Sequence, residues 1–301
     1  MFGRRPDGRI VKDMDPLIMI TPYIMPTRVD AQVFLDFEVK YAPMLNYVVQ
    51  KQQEGYKISF MEIIIAAFVR IVSQNPELNR FIMNKKLYSR KELCVSLAVV
   101  KETENSDDVE ESVIKVKFDP KDTIFDVAAR IKKEVDLNKK EEVDNITLKL
   151  IKLLLQVPGL PNAVIGLTRL LDRYGIMPKF LIDVLPFHTS LFLTNMASIG
   201  VERVYHHIYN YGTTSLFLSM GIAKKNLKLN RDGTIKKERV FPFGVTADER
   251  VCAGKVYAKF LAEMKQLLAN PAILETSPEQ VRFDDGSEYS VEKPDLSIIR
   301  L

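Results

Sequence analysis

From Phe60 to Val72 the chain places apolar side chains at Phe60, Ile63, Ile64, Ala67, Phe68, Ile71 and Val72, the i, i+3, i+4 spacing of a helix buried along one face. Ser59, three residues before Glu62, supplies a capping box at its start. A helix so apolar needs a broad partner. Residues 93–100 form an apolar run, and Ile114, Val116 and Phe118 alternate within 113–118; both read as strands. A second helical stripe, Ile124, Val127, Ala128 and Ile131, falls within 123–135. A third, Phe260, Leu261, Met264 and Leu267, falls within 256–268 and is stopped by Asn270-Pro271. Helices of this kind interspersed with strands predict an α/β chain, an α+β two-layer sandwich in which helices cover one face of a sheet.

The connections carry further signals. Asp232-Gly233, between apolar runs ending near Leu229 and starting at Ile235, predicts a hairpin turn. Glu102, Glu104, Asp107, Asp108, Glu110 and Glu111 make an acidic loop, read as a solvated hairpin tip or, alternatively, a partner site. Between about 148 and 186 lies an apolar stretch with Leu150 to Leu155, a Pro158-Gly159-Leu160-Pro161 break, and two helical runs at 163–174 and 178–185. Core or interface packing is the plain reading. A lid lined for a long acyl chain, or a helix lying on a membrane as a peripheral contact, are the alternatives. Lys149, Lys152, Pro158, Pro161, Arg169 and Asp172 interrupt any apolar run long enough to span a bilayer. Residues 276–301, rich in Asp and Glu, read as an acidic tail on the surface or against a neighbouring subunit.

The 301 residues contain no long linker of Pro, Gly or Ser, which predicts a single domain over 1–301. A net charge of +4 without a concentrated arginine stripe argues against nucleic-acid binding. Three histidines and two cysteines, Cys94 and Cys252, show no metal-ligand spacing and no disulfide framework. Together with an N-terminus that does not read as a signal peptide, this predicts a cytoplasmic protein.

The segment Asp248-Glu249-Arg250-Val251-Cys252-Ala253-Gly254 stands where a known family carries Asp-His-Arg-x-x-Asp-Gly. Other segments agree with it in order. Pro22 to Pro26 followed by Val29-Asp30-Ala31 looks like that family's first active-site strand leading into a helix. Ser59 to Glu62 through Asn75-Pro76-Glu77-Leu78-Asn79 looks like its long core helix, Leu191 to Met196 like its Phe-Thr-Ile-Ser-Asn-Leu strand, and Gly212 to Gly221 like its Pro-Pro-Gln segment and buried strand. The chain thus resembles the catalytic domain of the 2-oxoacid dehydrogenase acyltransferases, similar in fold to chloramphenicol acetyltransferase. The resemblance implies a CoA-dependent acyltransferase fold with a mixed sheet and acyl-CoA as co-substrate. It further implies a small-molecule acceptor, no metal, and a homotrimer with active sites between subunits. No lipoyl domain, swinging linker or subunit-binding domain precedes the match, so a freestanding protein is expected.

In that family the motif histidine takes the proton of the attacking group, work suited to a neutral imidazole. Glu249 holds that place here. A carboxylate, with a reference pKa of about 4.3, is the weaker base unless burial raises it. The motif aspartate that orders the loop is Ala253. The candidate site residues are therefore Glu249 as an altered base, Thr194 as the hydroxyl stabilising an oxyanion, and His207, beside His206, as a displaced base. Each has a plainer reading: threonine is ordinary in strands, and a His pair flanked by Tyr205 and Tyr209 suits an interface or a half-exposed surface. Cys252 reads as packing rather than nucleophile, and His188 as structural. Two functions stand: a CoA-dependent acyltransferase with non-standard catalytic residues, and an inactive trimeric relative that binds or scaffolds.

Overall fold

A mixed sheet of seven strands forms the centre of the structure, a computed structural model that describes residues 5–12, 14–101, 110–140, 153, 155–229, 232–284 and 288–301. In chain order the strands are β1 (Gly8–Ile10), β2 (Gln32–Lys40), β3 (Arg80–Met83), β4 (Lys86–Arg90), β5 (Leu93–Lys101), β6 (Glu110–Phe118), β7 (Leu191–Asn195), β8 (Leu216–Met220), β9 (Lys224–Leu229) and β10 (Ile235–Asp248). The large sheet runs β2-β10-β8-β7-β5-β6, with β9 paired to the first part of β10. β5, β7 and β8 are parallel neighbours and the other pairs are antiparallel. A small sheet, β1-β4-β3, closes one end.

The helices are α1 (Pro16–Ile24), α2 (Tyr41–Gln53), α3 (Phe60–Gln74), α4 (Ile124–Lys140), α5 (Leu160–Tyr174), α6 (Lys179–Val184) and α7 (Gly254–Ala269). The predicted stripes of α3, α4 and α7 meet the sheet as the periodicity requires. Ile64, Phe68, Val127 and Phe260 join Leu191, Leu193, Leu218, Phe243 and Val245 in one buried core. At the start of α3, the Glu62 carboxylate accepts the Ser59 backbone N–H, so the capping glutamate acts as expected.

Side chains of a strand alternate between faces. Phe241, Phe243, Val245 and Ala247 enter that core, so Gly244, Thr246 and Asp248 face the other side. There Phe192, Phe217 and Ile208 form a second, smaller cluster. The segment 201–211 lies across this face, and two glycines let it approach. A Cβ on Gly244 would sit 2.1 Å from the Val204 carbonyl oxygen, and one on Gly221 would sit 2.0 Å from that of Glu202.

Four sequence expectations can be followed in the structure, and the first is corrected by it. The Pro22–Pro26 stretch is not a strand: residues 16–24 are helical, because the Asp15 carboxylate caps the Leu17 N–H at 2.8 Å and Pro16 takes the first turn. The strand begins later, at Gln32. The Asp232-Gly233 hairpin is found where expected: β9 pairs antiparallel with β10, Leu229 opposite Ile235, with Gly233 at φ 80°. Several apolar residues of α5 and α6 lie outside the protomer's core, with Leu167 56%, Phe180 67% and Val184 77% exposed, while Ile182 is buried. Lastly, residues 276–301 are strapped to this chain's own body. Arg80 holds Asp284 through two hydrogen bonds, the Val291 N–H donates to Asp119, Lys293 pairs with Asp126, and Ile299 is buried in the core. The acidic loop at 102–109 and most of 148–154 lie outside the described residues.

Candidate active site

The motif segment begins as β10 ends. Asp248, fully buried, receives two hydrogen bonds from Arg250, Nε to Oδ1 at 2.8 Å and Nη2 to Oδ2 at 2.7 Å. Arg250 Nη1 also donates to the Met25 carbonyl at 2.8 Å, and the Tyr257 hydroxyl on α7 donates to the Asp248 carbonyl at 2.8 Å. This bidentate pair, with Nη1 tied to the Met25 carbonyl, fixes the turn. Glu249 is held only by its backbone: its N–H donates to the Ala31 carbonyl at 3.0 Å, while its side chain is exposed. Ala253 occupies the N-cap of α7 in extended geometry and makes no side-chain cap. Cys252 is buried, and burial pushes its thiol up to about 12, a thiol without nucleophilic character at neutral pH.

Thr194, the penultimate residue of β7, lines a cleft of about 450 Å³ between the start of α3, the sheet edge and α4. Leu97, Ile114, Ile131 and Val135 give it apolar walls, and Ser59 and Ser198 are polar groups on its lining. Among the described residues the Thr194 hydroxyl has the Met196 sulfur, at 3.8 Å, as its only hydrogen-bond partner, and the buried Asn195 Oδ1 has none. Glu62 shares the cleft; burial raises its carboxyl above the usual range, against the opposing hydrogen bond from Ser59.

The two histidines separate. His206 lines the Thr194 cleft, whereas His207 is not on its lining. The His206 ring stacks on Phe217 at 4.1 Å and 8°, and its Nδ1 lies 2.8 Å from the His207 carbonyl. A carbonyl can only accept, so Nδ1 carries the proton and Nε2 keeps its lone pair in the neutral ring. Burial holds His206 below the ordinary histidine range. An oriented, neutral imidazole with one bare nitrogen has the make-up of a general base. The sequence-based choice was His207, whereas His206 is the member on the lining, because stacking on Phe217 depends on how 201–211 crosses the sheet. His188 is elsewhere: buried, with Nε2 3.0 Å from Asp172 Oδ2.

Within one protomer Glu249 and Thr194 do not meet. Thr194 is level with Ser219 on β8, which is level with Gly244 on β10. Five residues further along β10 at about 3.4 Å each, and two strands across at about 4.8 Å each, put on the order of 20 Å between the two positions. They stand at opposite ends of the sheet.

Residues 188–275 match the family model of the 2-oxoacid dehydrogenases acyltransferase (catalytic domain). No curated protein sequence matches the chain. Among solved structures, a probable dihydrolipoamide acetyltransferase from Listeria monocytogenes 4b F2365 superposes with a TM-score of 0.51 at 14% identity, over 86% of this chain and 93% of that one. A truncated catalytic core of the 2-oxoacid dehydrogenase multienzyme complex from Thermoplasma acidophilum gives 0.50 at 17%, over 87% and 98%. The architecture is that of the CoA-dependent acyltransferases, as the sequence resemblance implied. Among the described residues no group of His, Cys, Asp and Glu could hold a metal, and no helix is long and apolar enough to cross a membrane.

Proposed function

We propose that the chain transfers an acyl group from an acyl-CoA thioester to a small acceptor, at a site completed between two copies of itself in a homotrimer. The observation that carries this reading is the separation of Thr194 from Glu249. Each sits at a surface of the protomer with its chemistry unspent, at opposite ends of one sheet, so a ring of subunits would bring the cleft of one copy to the Glu249 turn of the next. A heterologous contact of this kind closes into a ring when its rotation allows.

In such a site the Thr194 hydroxyl donates to the oxyanion that forms when the thioester carbonyl is attacked. The cleft's apolar walls and its serines suit the slim amide-bearing arm of CoA. A base is still needed. Glu249 holds the motif position, and His206, with Nε2 bare, stands in the cleft itself. The proposal assigns the proton to Glu249 and places His206 as the second candidate. His207, the sequence-based choice, retains a role only through its carbonyl, which fixes the ring of His206.

One observation favours a second reading, a binding or scaffolding relative without turnover. The Glu249 carboxylate makes no hydrogen bond to any described residue that would orient it, and Ala253 offers none. Thiol release from a panel of acyl-CoAs separates the two. For an enzyme, Thr194→Val lowers kcat/KM by about 100-fold, the order expected for a lost oxyanion donor, and either Glu249→Gln or His206→Gln removes the activity. Mixed oligomers of the Thr194→Val and Glu249→Gln chains then regain part of it. Absence of CoA release from the wild type with every donor, together with its appearance in a Glu249→His, Ala253→Asp double variant, would establish the scaffold.

A further inference from the structure

A second pocket, of about 520 Å³, opens between the turn after α1, the β3–β4 turn, the last turns of α5, and Asn210 to Gly212. Its lining is unusual in charge. Arg28, Lys85, Arg169 and Arg173 all contribute to it, and each is satisfied only by neutral groups. Arg28 spends its Nη atoms on the backbone carbonyls of Asn210 and Ile82, at 3.4 and 2.9 Å. Lys85 sits over the Tyr23 ring, Arg169 over the Tyr211 ring, and Arg173 donates to the Asn84 side-chain oxygen. Among the described residues none of the four is ion-paired.

The carboxylates close by are already used. Asp172 also lines the pocket, but accepts from Arg5 at 2.6 Å and from His188 at 3.0 Å; Asp248 is taken by Arg250. The buried part of the network thus holds four guanidinium groups, Arg5, Arg28, Arg90 and Arg250, against three carboxylates, Asp7, Asp172 and Asp248. One positive charge is left over beneath the pocket floor. Arg28 is 5% exposed, and its Nε is a buried donor with no partner. An uncompensated buried cation with an orphaned donor is costly, and an anion entering the pocket would relieve both.

Backbone geometry supports the same place. Asn84 and Lys85 both adopt left-handed φ, 48° and 59°, in the tight turn joining β3 to β4. Such turns favour glycine at their second central position, yet here a lysine accepts the strained conformation and is set at the pocket mouth. Arg250, next to Glu249, also lines the pocket, which therefore borders the turn assigned to the proposed acyl-transfer site, while sharing no lining residue with the Thr194 cleft.

We propose that this pocket binds a phosphate group. Several guanidinium forks and an ammonium converging from four chain segments suit a tetrahedral dianion, whose oxygens accept from many directions. The source could be a free phosphoester or a phospholipid headgroup. The second is raised by exposed apolar residues close in sequence to the lining, Ile24 of α1 at 69% and Ile176 after α5 at 65% exposure.

The test uses the full chain and inorganic phosphate. At constant ionic strength, replacing chloride by phosphate should raise Tm saturably, by roughly 4 °C when phosphate stands at about a hundred-fold excess over its dissociation constant. The Arg169→Gln, Arg173→Gln double variant changes exposed residues only, so it should fold normally and lose that rise. Lys85→Gln should weaken it. A wild-type Tm that responds equally to chloride and phosphate overturns the proposal, as does an undiminished rise in the double variant. Sedimentation with phosphatidylcholine vesicles containing phosphatidic acid, compared with phosphatidylcholine alone, then identifies the source. Binding that inorganic phosphate competes away supports a headgroup; a Tm rise without vesicle binding supports a free phosphoester.

Discussion

Arg250 and Asp248 form the most enclosed ion pair beside the motif, with side chains 2% and 0% exposed. Removing one member of such a pair leaves the other charged and unmatched, a loss of about 3–5 kcal/mol. Arg250→Met should therefore lower the urea midpoint strongly, while the Asp248→Asn, Arg250→Met double variant recovers part of the loss. At Cys252 the expectation is kinetic. Its thiol, pushed up to about 12 by burial, should resist alkylation at neutral pH in the native protein and react once denatured, as mass spectrometry of iodoacetamide-treated samples would show. Both residues were visible in the motif, but their roles came from opposite kinds of information. Arg250 keeps the family's residue type and so was readable as part of the loop's frame. Cys252 needed its surroundings, since the same side chain beside a base would be a nucleophile.

At the scale of elements, α7 begins without a cap. Ala253 already has the extended backbone of an N-cap residue, φ −63° and ψ 148°, so Ala253→Asp needs no rearrangement. It should stabilise the protein by about 1 kcal/mol through the cap hydrogen bond and the helix dipole, measured as a rise in the denaturation midpoint. Gly244→Ala should do the reverse. Its methyl would collide with the Val204 carbonyl, so the 201–211 segment must shift, and His206 moves with it. A stability loss of about 1–3 kcal/mol should accompany a changed His206 environment in an NMR titration. Periodicity made α3, α4, α7, β5 and β6 legible because each buries one face over many residues. It failed at α1, where Asp15 and a mostly apolar nine-residue stretch beginning at Pro16 carry no stripe. It was silent on 201–211, whose position depends on contacts to a sheet that does not exist until strands distant in sequence have assembled. The distance between Thr194 and Glu249 was hidden for the same reason, since it follows from strand order.

For the molecule as a whole, the buried network around Asp172 couples stability to pH. Burial lowers His188 below the histidine reference, outweighing the hydrogen bond to Asp172 that would raise it. The unfolded chain, with its His188 near 6.5, then binds a proton that the folded chain refuses, so stability is fully present above about pH 6.5 and falls as pH drops towards the lowered folded value. Asp172 is itself held below the usual carboxylate range, against its own burial, by His188 and Arg5, so it stays ionised in that window. Urea denaturation from about pH 7.5 down to 5.5 should show the decline, and His188→Gln should flatten the slope whatever it does to the absolute value. The strap formed by residues 276–301 has its own corollary. Leu301 donates its N–H to the Gly55 carbonyl at 2.9 Å, and Arg300 bridges to Tyr56, so the turn after α2 is completed by residues translated nearly a whole chain length later. A nascent chain must hold α2 and its neighbours with this seam open until Arg300 and Leu301 have left the ribosome.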